Sequence, residues 1–254
     1  MLLSVLAASW LCLYIDSVHQ RRRAEHLISE LKSFPFATAG FVEVRELANR
    51  YGGVAVQSFP LQPFFPSQPW WREEEERVLQ LRNGPACTVQ NCTFNIWIGP
   101  RIMKLRFNID EDLFVDSILA RLGLRPWTVD ARLEVKDGKL LESRTTVGQL
   151  GFAGFGSFRM IMPLEYQVES GPTIDGLNGD SDVYGVSVRH IKGVYGYLDH
   201  LDAVFEPTAN APANRAFDVR LHCFTRITSA CRGFAELAPT AWSDYQARKE
   251  RNRK

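Results

Sequence analysis

Hydrophobic and polar positions divide this chain into stretches of different period. The run from Met1 to Ile15 (MLLSVLAASWLCLYI) has no polar face, because none of its residues is charged and Ser4 and Ser9 are its only small polar side chains. Asp16 ends the run, and Arg21, Arg22 and Arg23 follow. An apolar stretch closed by a cluster of cations predicts a single-pass transmembrane anchor over residues 1–20. A spanning helix needs about 20 apolar residues, so Asp16, Ser17 and Val18 would have to be drawn into the interface. A cleaved signal peptide fits less well, since no basic region precedes the run and no A-x-A-like site follows it. An ordinary core helix is the third reading, weakened by the missing polar face.

Helical spacing then takes over in residues 21–58. Leu27, Ile28 and Leu31 form one stripe, predicting that the first helix continues as a stalk or covering helix until Phe34-Pro35. A second helix is expected over Phe41 to Tyr51, with Val44, Leu47, Ala48 and Tyr51 on one face and Gly52-Gly53 as its stop. Residues 59–86 follow neither period. Pro60, Pro63, Pro66 and Pro69 recur every third residue, the repeat of a polyproline II helix, and Trp70 and Trp71 close the stretch. It reads as an interaction strap for an aromatic-lined groove or a membrane interface, or as a strap packed on the body itself. The acidic run Arg72 to Arg77 reads as a solvated helix start.

From Cys87 the period becomes two. Phe94, Ile96 and Ile98 alternate with Thr93, Asn95 and Trp97, and Met103, Leu105 and Phe107 resume the alternation beyond Gly99-Pro100, predicting a hairpin. Asp110 to Leu122 returns to helical spacing, capped by Gly123. A second hairpin is expected from Val129 to Val147, with Asp137-Gly138 at its tip. Further strands are expected near Ser157–Val168, Val183–Ile191 and Phe217–Thr228. Six or seven strands with a few helices define an α+β domain, mainly antiparallel, over residues 87–245, followed by a basic tail over 246–254.

Composition supports a folded body: of 254 residues, 45% are hydrophobic and 23% charged. The net charge of +1 offers no field for a nucleic-acid partner, and none is expected. The cysteines change the picture more. Cys12 lies in the apolar run, and Cys87, Cys92, Cys223 and Cys231 form two close pairs, which suits disulfides in an oxidising compartment. Free buried thiols and a zinc site with His222 are the alternatives, the latter poorly matched by the C-x4-C and C-x7-C spacings. The arginines place the body in the cytoplasm, and the cysteines place it outside. A start site assigned too far downstream, cutting off a basic region, would reconcile them. An extracytoplasmic body is the working expectation, with orientation open. Asn91-Cys92-Thr93 is also a glycosylation sequon.

Catalytic motifs fail on inspection. Gly151, Gly154 and Gly156 have the wrong order for a phosphate loop. Asn178, Asp180 and Asp182 begin like a calcium loop, but Val183 and Arg189 stand where Gly and Glu are needed. His190, Asp199, His200 and Asp202 are the remaining candidates for a general acid-base site. No cofactor or metal is implied. The function expected is a non-catalytic binding or assembly domain beside the bilayer, with a membrane or envelope protein as partner. The alternative is a membrane-attached enzyme whose site no linear motif reveals.

Overall fold

Leu27, Leu31, Val44 and Leu47, the stripe residues of the two predicted helices, are all fully buried against one face of a sheet. The structure is a computed structural model describing residues 2–56, 87–100, 124, 127–150, 164–172, 184–193, 196–205, 214–227 and 231–253. Helix α1 (Leu2–Lys32) and helix α2 (Phe41–Arg50) precede strand β1 (Val54–Val56). The Gly40 N–H donates to the Glu43 carboxylate at the start of α2, and Gly52 follows its end at φ +66°. That left-handed turn is the one predicted from Gly52-Gly53.

Six further strands follow: β2 (Cys92–Ile98), β3 (Trp127–Lys136), β4 (Lys139–Leu150), β5 (Leu164–Pro172), β6 (Tyr184–Gly193) and β7 (Gly196–Phe205). They form one seven-stranded sheet in the order β1-β2-β3-β4-β5-β7-β6. Neighbours are antiparallel except for β5 and β7, which run parallel. The fold is therefore α+β with a mainly antiparallel sheet, as the alternation predicts. Period two decides which face is buried. Phe94, Ile96 and Ile98 stand opposite Leu133, Ala131 and Val129, and all six are buried. The β3–β4 hairpin turns on Asp137 and Gly138, both at positive φ, the conformation that Asp-Gly supplies at a two-residue tip.

After β7 come a 3-10 helix, η1 (Leu221–Thr225), then α3 (Phe234–Leu237) and α4 (Pro239–Arg251). Here the prediction needs correcting: η1 stands where a strand over Phe217–Thr228 was expected. Phe224 stacks on Trp127 with ring centroids 5.4 Å apart, and Phe217 packs against Phe36 and Phe205. A strand would present alternate residues, whereas this packing buries Leu221, Cys223, Phe224 and Thr225 together. β2 meets β1 along Thr93–Asn95 on one edge and β3 on the other, and Met103–Phe107, its expected hairpin partner, lies outside the described residues. The strap at Pro60, Pro63, Pro66, Pro69, Trp70 and Trp71 lies outside them too, as do the helix at 110–122, the glycine cluster and the calcium-like loop.

Both cysteine pairs are bridged. Cys87–Cys92 and Cys223–Cys231 have Cα separations of 4.8 and 5.0 Å, within the ordinary range for a disulfide. Cys12 is the free cysteine, and it is exposed.

A second correction concerns the anchor. Among the described residues no helix is long and apolar enough to cross a membrane. The transmembrane helix predicted over residues 1–20 is not supported, and the reason is where the fold takes hold of α1. Ser17 is only 2% exposed. Residues from there onward belong to the body, with Ala24, Leu27, Ile28 and Leu31 all buried in it.

Candidate membrane-facing site

Two halves of α1 obey different physics. The C-terminal half is amphipathic: Ser17, Ala24, Leu27, Ile28 and Leu31 recur at helical spacing, and all are buried. The N-terminal half projects as an arm. On it Val5, Leu11 and Ile15 are 56%, 49% and 57% exposed, and Ala7, Ala8 and Cys12 are exposed as well. The rings of Trp10 and Tyr14 stack at 5.4 Å along one side. Leu2, Leu3 and Leu6 complete the sequence of the arm, leaving no charged position on any face before Asp16.

The seat of the arm is polar and specific. The Trp127 indole N–H donates to Ser17 Oγ at 3.1 Å, with both groups buried, so each satisfies the other. One turn further on, Arg21 Nη1 donates to Thr225 Oγ1 at 2.8 Å and to the His222 carbonyl at 3.4 Å. Arg23 donates to the Tyr51 carbonyl. Two of the three arginines that suggested a cytoplasmic flank thus have places in the fold. Tyr51 in turn donates to Glu30 Oε1 at 2.9 Å, and burial, then this hydrogen bond, push its phenol up to about 12.

Below η1, Glu236 gathers the C-terminal block. It accepts from Arg226 and from the Arg232 N–H at 2.8 Å, with His222 Nε2 3.3 Å away. Burial alone would raise the Glu236 carboxyl. The hydrogen bonds and the neighbouring charges of Arg226 and His222 outweigh it and hold the group below its ordinary 4.5. This cluster and the Cys223–Cys231 bridge lock η1, the element that Arg21 grips.

The other sequence candidates are distributed along the far strands. His190 of β6 stands opposite Asp199 of β7 in the register, Arg189 opposite His200, and Ser187 opposite Asp202. Asp199 and His200 are consecutive positions of β7. Asp202 accepts a hydrogen bond from Ser187 at 3.0 Å. Among the described residues no group of three His, Cys, Asp or Glu side chains is disposed to hold a metal. A shallow groove of about 270 Å³ lies between the end of α1 and α2, where Phe34 and Pro35 meet Glu30, Glu43 and Arg50. Two of its acids are committed locally: Glu30 to Tyr51 and Arg50, and Glu43 to the Gly40 N–H. Asn91 of the sequon is exposed, and its side-chain oxygen accepts the Asp137 N–H at 3.4 Å.

The division of α1 at Ser17 is the functional feature that sequence reasoning missed. Its signal was present, since Ser17 lies on the same helical stripe as Ala24, Ile28 and Leu31. No family model, curated protein or solved structure matches the chain.

Proposed function

We propose that this chain is a non-catalytic binding or assembly module held against a membrane by the arm of α1, with its disulfide-stapled body on the extracytoplasmic side. The carrying observation is that the arm has no charged residue before Asp16 while Val5, Leu11 and Ile15 stand about half exposed on it. A helix with one apolar stripe needs one partner surface, whereas a helix apolar all round needs an apolar surrounding, and lipid acyl chains provide it. The residues Leu2 to Ile15 rise about 21 Å along the helix axis, deeper than one leaflet of hydrocarbon. The two disulfides support the compartment, because such bridges persist in oxidising surroundings.

Flotation of the full chain with vesicles of phosphatidylcholine and phosphatidylglycerol tests the reading. The chain is expected to float with the lipid. The double variant V5D/L11D should lose at least about tenfold in bound fraction, given the cost of an Asp among acyl chains. Both positions are exposed, so its thermal melt should match that of the parent. A parent chain that stays with the buffer, or that self-associates through the arm and ignores the vesicles, would overturn the proposal.

A further inference from the structure

The arm and the sheet are parts of one rigid unit, and this has a geometric consequence. Helix α1 is continuous from Leu2 to Lys32, and it contains neither Gly nor Pro at which to kink. Its body half is fixed at several separated points: Ser17 to Trp127, Arg21 to Thr225, and the buried stripe through Leu31. Trp127 begins β3. The other end of the helix lies at the opposite end of that strand. The chain leaving α1 returns to the hairpin tip, where Leu140 N–H donates to the Ala39 carbonyl at 2.9 Å and Phe41 N–H donates to the Gly138 carbonyl at 3.3 Å. Gly40 also bridges to Lys139. So α1 runs alongside β3 in the same sense, from Trp127 toward Lys136, and the arm continues that line past the Trp127 end of the sheet.

We infer that α1 sets the posture of the body as well as its attachment: the Trp127 end of the sheet faces the bilayer, and the Asp137-Gly138 tip is carried away from it. This inference rests on the membrane reading above. The depth is marked by the aromatic pair. Tyr14 is two residues from Asp16, so its ring occupies the interfacial level that such rings favour, Trp10 stacks on it from the lipid side one turn deeper, and Ser17 sits just above. From Ile15 to Lys32 the helix rises about 26 Å, which places the hairpin tip at roughly that height over the headgroups. A body hung on a flexible linker would have no fixed height.

Fluorescence on vesicles of phosphatidylcholine and phosphatidylglycerol tests this with the full, oxidised chain. Cys12 is the one thiol outside the two disulfides, so it accepts an environment-sensitive dye alone. Two further labelled chains carry C12S with H19C or K136C, both at exposed positions. The dye on Cys12 should shift to the blue and be quenched by lipids carrying a quencher on their acyl chains. With an energy acceptor on the headgroups, the H19C label should transfer several-fold more efficiently than the K136C label. If the Cys12 dye stays in an aqueous environment, the membrane reading itself fails. If Cys12 enters lipid but the H19C and K136C labels transfer equally, attachment stands and the fixed posture is overturned.

Discussion

Ser17 and Trp127 decide where the arm of α1 stops and the body begins. Replacing Ser17 by Ala leaves the buried Trp127 N–H without its acceptor, and an orphaned donor of this kind costs about 1–3 kcal/mol. Urea unfolding of S17A should show that loss, and an unchanged midpoint would mean that the bond does not hold the seat. Glu236 makes a pH prediction of definite sign. Its carboxyl titrates below the ordinary 4.5 in the fold, so the unfolded chain binds a proton more readily. Its contribution is present above the unfolded value and disappears as pH falls through the folded one. The variant E236Q should therefore be less stable than the parent near neutrality, with the gap closing in acid. Unfolding midpoints of both proteins across that range decide it. A gap independent of pH would show that the Glu236 charge is not what matters. At this scale the sequence was partly legible. Ser17 falls on the buried stripe, but a hydroxyl beside a charged cluster looks like the end of an apolar run until its partner 110 positions away is known.

Among the elements, η1 does most to connect the arm to the rest of the fold. It is gripped by Arg21 on one side, stacked through Phe224 on Trp127, and bridged to the start of the α3 segment by Cys223–Cys231. Opening that short loop by the double replacement C223A/C231A should lower stability by about 2–3 kcal/mol on the chain-entropy estimate. Denaturant melts of the parent with and without reductant, set beside those of the variant, measure it. Equal midpoints for the oxidised parent and the variant would remove the bridge from the account. The elements that could be read in advance were those specified locally. The β3–β4 turn needs two positive φ angles and has Asp-Gly to supply them, and α2 has both its apolar stripe and its glycine stop. η1 was misread because Phe217, Val219, Leu221 and Cys223 alternate like a strand. What overrides that pattern is packing on Trp127, a contact no window of sequence contains. β7 has the reverse character: no strand was expected over Gly196–Phe205, although Leu201, Ala203 and Phe205 alternate and are all buried.

For the whole molecule, the charges and the cysteines pointed in opposite directions, and the structure alters the weight of each. Arg21 and Arg23 are bonded into the body, which supplies a reason for their presence apart from topology. The four paired cysteines are bridged, and their chemistry favours an oxidising compartment. The body is therefore expected outside the cytoplasm. The native disulfide sulfurs are poor reporters of this, because Cys92 and Cys223 are fully buried. Lys136 next to the hairpin tip is exposed, and in the proposed posture it points away from the bilayer. In cells or spheroplasts expressing C12S/K136C, a membrane-impermeant maleimide should label this position without lysis and without reductant. The same reagent should leave Cys12 of the parent unlabelled until detergent is added, because the proposed posture puts that position in lipid. Labelling of K136C only after lysis would put the body in the cytoplasm. Its bridges would then have to survive a reducing environment, and the arginines would have been the better guide.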